Sequence, residues 1–154
     1  MERRVISVLV QNEHGVLSRI SGLFAGRGYN IETLTVAPIP NSKFSRLTIV
    51  TSGSPRVIEQ IIKQLHKLIP VYKVIEHEEL IEKEMVLAKV PLGERLADVE
   101  ALCKAYNGSI VNVGKDGIIV MIADEPKRVR NFIYALNNFN PKEIIRGGVV
   151  AIER

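Results

Sequence analysis

The chain has no tryptophan, a single cysteine and only 5 % aromatic residues. The lone thiol, Cys103, excludes an internal disulfide framework. With three scattered histidines (His14, His66, His77) it gives no zinc set of ordinary spacing either. A reducing cytoplasm fits this composition. Long apolar runs are also missing: the longest, residues 118–123, falls far short of a membrane span. The opening Met1-Glu2-Arg3-Arg4 leads into residues 5–10, too short and too β-branched for a signal-peptide core. The chain is therefore expected to be cytoplasmic, with no membrane partner. Charge of one sign is not concentrated: 21 Lys and Arg against 17 Asp and Glu leave +4 without a basic stripe. That argues against nucleic acid as a partner.

What the chain does have is aliphatic side chain, within a 46 % hydrophobic composition over 154 residues, enough for one medium domain or two small ones. Residues 5–10 are a β-branched run. Val16, Leu17, Ile20, Leu23 and Phe24 then recur at helical spacing until Gly28 stops them. Residues 31–37 alternate as a strand, residues 38–42 turn, and residues 47–51 return. Ser54-Pro55 caps a helix with Val57, Ile58, Ile61, Ile62 and Leu65 on one face, Pro70 ends it, and residues 71–75 close the unit as a strand. The second half repeats the order, with strands at 85–90, 110–113, 118–122 and 144–152, the last broken by Gly147-Gly148. The order predicts an α+β fold of two tandem ferredoxin-like βαββαβ units, each an antiparallel sheet with both helices on one face. The expected boundaries are 1–78 for the first domain, 79–83 for a linker and 84–154 for the second.

No catalytic constellation emerges, and no metal set. Gly26-Arg27-Gly28 half-matches a dinucleotide fingerprint but closes a helix rather than opening one. Gly22 and Gly26 have the spacing of close helix packing. Cys103 reads as an inert core residue. The turn Asn12-Glu13-His14-Gly15 before the first helix differs from the other helix starts. Ser54, Glu94 and Asp124 with Glu125 stand ready to cap the second, third and fourth helices, but Val16-Leu17-Ser18 contains no acid. Either Asn12 or Gly15 is an ordinary cap with water filling the rest, or the free N–H groups there receive an external carboxylate. Asn30 is either a turn residue or a second half-site, since an amide both accepts from an ammonium and donates to a carboxylate. The corresponding loop of the second half, Pro91-Leu92-Gly93-Glu94-Arg95, has no Asn and already holds an acid, so one half-site per chain is expected. The first strand is apolar on both faces, Ile6, Val8 and Val10 on one and Val5 and Leu9 on the other. This predicts self-association or docking, unless the chain's own second domain covers that face.

The stretch from Val8 through Gln11-Asn12-Glu13-His14-Gly15-Val16-Leu17-Ser18-Arg19-Ile20 resembles the small, regulatory subunit of acetohydroxyacid synthase (acetolactate synthase) in the opening of its ACT domain. So does Gly22-Leu23-Phe24-Ala25-Gly26-Arg27-Gly28-Tyr29-Asn30-Ile31-Glu32-Thr33. The likeness covers nearly the whole chain, with weaker motifs in the second half. It implies a homodimer that binds an amino-acid effector, valine or else leucine or isoleucine, at its interface and has no active site of its own. Thiamine diphosphate, FAD and magnesium are then expected on a separate catalytic large subunit, which this chain activates and makes sensitive to feedback inhibition. The effector-contacting positions carried over are Asn12, Gly15 and Asn30, the backbone of Val16 and Leu17, and the side chain of Ile31, with Asn30 of the facing copy meeting the ammonium so that two chains share one ligand. His14 also lies in the loop, where a small residue or proline is common in such domains. The competing expectations are a free-standing ACT sensor acting on another protein and a small enzyme or RNA binder of the same topology. The RNA reading lacks stacked aromatics on the first domain's central strands.

Overall fold

The computed structural model describes residues 1–76 and 78–154, so His77, one of the three scattered histidines, lies outside the described residues. The chain divides into two compact units, residues 1–80 with 153–154 and residues 81–152. In the first, β1 (Glu2–Gln11), α1 (Val16–Gly26), β2 (Thr33–Pro38), β3 (Phe44–Gly53), α2 (Pro55–His66) and β4 (Val71–Glu76) follow in turn. They build an antiparallel sheet in the order β2-β3-β1-β4. Register explains the core: Ile6 stands opposite Ile49 and Val8 opposite Leu47, so these side chains share a face. Val16, Ile20 and Phe24 of α1 and Ile58, Ile61 and Leu65 of α2 fall at helical spacing onto it and are buried. Val5 and Ser7, on the helix-free side of β1, are buried as well, at 6 % and 0 % exposure.

The second unit repeats the plan. It comprises β5 (Leu80–Val90), α3 (Leu96–Ala105), β6 (Gly108–Val113), β7 (Ile118–Asp124), α4 (Pro126–Leu136), a 3-10 turn (Asn137–Phe139), β8 (Glu143–Arg146) and β9 (Val150–Glu153). The sheet order is β6-β7-β5-β8, with β9 also paired to β5. Its core gathers Val86, Ala88, Val90, Ile118, Val120 and Ile122 from the strands under Val99, Cys103, Val129, Phe132 and Leu136. The break at Gly147-Gly148 thus separates two short strands that share β5 as their partner. Both units are ferredoxin-like, as the element order predicts.

The stretch 79–83, expected to be a linker, enters β5 at Leu80, and the division between the two units falls inside it, between residues 80 and 81. Glu84, the first residue of the expected second domain, points into the protein and its carboxylate is met by Arg146 from β8 at 2.9 Å. One expectation needs correction. Gly22 and Gly26 do not mediate close helix packing: a Cβ at either would meet nothing within 4 Å. The buried stripe of α1 is Val16, Ile20 and Phe24, which turns both glycines toward solvent. No helix among the described residues is long and apolar enough to cross a membrane.

Candidate functional site

The β1–α1 turn is shaped by Gly15, the N-cap of α1, at φ 80° in the left-handed region that favours glycine. Its carbonyl starts the helix by accepting from Arg19 N–H at 3.0 Å, no side chain caps it, and no acid lies in the first turn. Val16 is buried while Leu17 is 43 % exposed, so Val16 offers the loop only its backbone. Asn12 and His14 are exposed. Asn12 N–H donates to the Lys43 carbonyl (3.0 Å) and Gln11 N–H to the Pro70 carbonyl (2.9 Å), which ties the loop to the heads of β3 and β4. An open cleft of about 510 Å³ beside it is lined by Gln11, Asn12, Glu13, Lys43 and Phe44. Lys43 and Phe44 were not legible as part of this surface, because only the pairing of Gln11 with Phe44 brings the far hairpin alongside the loop.

Asn30 is placed by the other end of α1. The helix closes in a Schellman motif: Gly28 (φ 70°) donates to Ala25 O at 3.3 Å and Tyr29 to Phe24 O at 2.9 Å, with the two rings edge to face at 6.0 Å. The chain then docks on the foot of β3, where Thr51 Oγ1 donates to Asn30 O (2.5 Å) and Glu32 N–H to Val50 O (2.8 Å). Ile31 packs against the core, half-buried. Neither the Asn12 nor the Asn30 carboxamide has a hydrogen-bond partner among the described residues.

These residues do not meet within one chain. Asn12 is anchored at Lys43 and Asn30 at Thr51, positions about 26 Å apart at a strand rise of about 3.3 Å per residue. A free amino acid carries its carboxylate and ammonium on one carbon and cannot reach both. β2, which follows Asn30, is an edge strand, and its Val36, Ala37 and Pro38 are exposed.

Helix capping only partly follows expectation. Ser54 Oγ accepts from Val57 N–H at 3.3 Å and caps α2. The N-cap of α3 is Arg95 rather than Glu94, and neither α3 nor α4 has a side-chain cap, the Asp124 carboxylate accepting instead from Glu125 N–H at 2.8 Å. An uncapped start therefore does not set α1 apart. What does is its left-handed glycine, Gly15 at φ 80°. The head of α3 borders a cleft of about 310 Å³ that includes Leu92, Glu94 and Phe139. There Arg95 lies over the Phe139 ring at 4.2 Å and donates to Asn138 O at 3.3 Å. Among the described residues no group of three or more His, Cys, Asp or Glu could hold a metal.

A βαββαβ unit with an open glycine turn at its first helix, followed by a second unit of the same plan, has the architecture expected of an ACT-domain protein. Residues 6–73 match the family described as AHAS small subunit-like ACT domain, and residues 83–154 match the small subunit of acetolactate synthase. The acetolactate synthase small subunit of Haemophilus influenzae is 42 % identical over 99 % of this chain and 96 % of its own length. A probable counterpart from Archaeoglobus fulgidus is 40 % identical over 99 % and 97 %. The crystal structure of the acetolactate synthase small subunit from Thermotoga maritima superposes with a TM-score of 0.92 at 36 % identity, covering 100 % of this chain and 98 % of that one. The chain belongs to the acetolactate synthase small-subunit family.

Proposed function

We propose that this protein is the non-catalytic regulatory subunit of an acetolactate synthase. It raises the activity of a separate catalytic subunit and confers feedback inhibition by a branched-chain amino acid, valine in the first instance. Thiamine diphosphate, FAD and magnesium belong to that catalytic subunit. The observation that carries the reading is the separation of Asn12 and Gly15, at the head of the first sheet, from Asn30 at its foot. A second copy adding its β2 antiparallel to the free edge of β2 reverses the chain direction, so its foot lies beside the first copy's head. The effector carboxylate then accepts from the N–H groups of Gly15, Val16 and Leu17 and from the Asn12 amide, while Asn30 of the second copy accepts from the ammonium.

The helix dipole contributes about 0.3–1 kcal/mol to such a site, up to ~2 where partly buried. Charge-assisted hydrogen bonds are roughly twice as strong as neutral ones. Aliphatic contacts from Ile31 add about 0.8 kcal/mol per buried methylene, so backbone and amides set affinity and the side-chain wall sets preference. Because the ligand bridges two copies, it favours one arrangement of the dimer over another, which is the differential binding that feedback requires. The residue range 1–78 serves as the effector domain, with one half-site per chain.

The test is to mix the full-length protein with the purified catalytic subunit and assay acetolactate formation with and without valine. Higher activity on mixing, lowered again by valine, is expected. No change on mixing and no response to valine would overturn the reading.

A further inference from the structure

Charge is distributed unevenly over the two ends of the first unit. At the foot, Arg4 pairs with Glu2 at 2.8 Å and Glu76 at 3.6 Å. At the head, the loops carry Lys43 and Lys67 against the carboxylate of Glu13, Lys73 stands nearby on β4 opposite Leu9, and none of the three lysines is in an ion pair among the described residues. Adjoining Lys43 and Lys73 in the chain, on the helix-free side, the Tyr72 ring lies against Phe44 with centroids 4.9 Å apart and is 69 % exposed. Ile69, next to the Pro70 carbonyl that holds Gln11, is 84 % exposed. Single exposed apolar residues are ordinary, but a tilted aromatic pair with an exposed isoleucine three residues from Tyr72, each close in the chain to a lysine, forms an anchor patch.

We propose that this patch is where the catalytic subunit docks, through an acidic segment that places an apolar side chain on Tyr72 and Ile69. The neighbouring Lys43, Lys67 and Lys73 select the occupant: an acidic partner surface is attracted and a second copy of the same basic surface is repelled. The proposal rests on the regulatory reading and adds a route for it. The two residues that open the effector loop, Gln11 and Asn12, are hydrogen-bonded to Pro70 and Lys43, which flank the patch. Ligand held by the loop thus acts directly on the docking surface.

The experiment compares wild type, Tyr72→Ala and Lys73→Glu, all full length, for association with the purified catalytic subunit by sedimentation and for activation across a concentration series. Both side chains are exposed, and circular dichroism with sedimentation of the free protein verifies that the variants fold and keep their own oligomeric state. Each variant is expected to need roughly tenfold more protein for half-maximal activation, as for a central anchor or a buried charge contact. Valine binding, read by calorimetry, is expected to stay within about twofold of wild type, and added salt is expected to weaken wild-type association more than that of Lys73→Glu. Variants that associate and activate like wild type overturn the docking surface and leave the regulatory reading standing. Loss of the free dimer in Tyr72→Ala assigns the patch to a second copy and also overturns the proposal. A wild-type protein that neither associates nor activates overturns the regulatory reading, and the proposal falls with it.

Discussion

Replacing Gly15 with alanine isolates what the left-handed turn contributes. The backbone there sits at φ 80°, which costs an L-residue about 1–2 kcal/mol. An added Cβ meets nothing within 4 Å, so no clash enters the balance. Alanine loses less chain entropy on folding, by about 0.4–1 kcal/mol, which offsets part of the strain. A net loss of roughly 1 kcal/mol remains, or about 4–8 °C in the unfolding transition of a unit of this size. Gly15→Asn should recover part of that loss, because asparagine tolerates the left-handed region. Thermal unfolding followed by circular dichroism reads both variants. A valine titration then asks whether the N–H groups of Val16 and Leu17 still converge, and alanine is expected to weaken the response. An alanine variant as stable as wild type, or an asparagine variant less stable than alanine, would refute the reasoning that backbone conformation is what Gly15 supplies.

The second unit offers an independent test. Burial pushes the Asp124 carboxyl up, but hydrogen bonds from Arg128 and Glu125 N–H, with the charges of Arg128 and Lys83, outweigh it and hold it below its ordinary 3.8. A depressed folded value means stability present above about pH 3.8 and lost as pH falls through the folded value. In urea unfolding Asp124→Asn should therefore cost about 1.5–3 kcal/mol at neutral pH, and the gap should close in acid; a gap independent of pH would contradict this. Burial, with the charge of Glu100, pushes the Cys103 thiol up to about 11. A thiol reagent at pH 8 should label it only as the protein unfolds, and rapid labelling of the native state would contradict that placement. Removing the α2 cap with Ser54→Ala should cost about 0.5–2 kcal/mol in denaturant melts, and an unchanged midpoint would argue against the Ser54–Val57 hydrogen bond.

The features that read clearly from sequence are those set by local spacing. Val16, Ile20 and Phe24 declare the buried face of α1, and Ser54-Pro55 the start of α2, because period and capping need no distant partner. Glu84 shows the opposite case. Its strand continues through a charged stretch because Arg146, 62 residues away, neutralises it, and nothing nearby in the chain reveals this. The start of α3 slipped by one residue for a related reason: Arg95, held by Phe139 and Asn138, fixes the turn that Glu94 was expected to cap. For the candidate site, Asn12, Gly15 and Asn30 were identifiable as residues able to handle a zwitterion. Their use from two facing copies follows from the family resemblance, but the separation that keeps them apart within one chain was not readable, since it depends on the pairing of β1, β2 and β3.

That placement is most directly tested by mixing two defective proteins. Asn12→Ala and Asn30→Ala, each full length and each insensitive to valine alone, are unfolded together in equal amounts and refolded with the catalytic subunit added. If the effector sits between copies, half the dimers are mixed and each mixed dimer carries one site with both amides and one with neither, so about a quarter of the sites recover. Valine inhibition should return in the mixture at wild-type affinity and reduced amplitude. A mixture as insensitive as its two components would contradict the shared site.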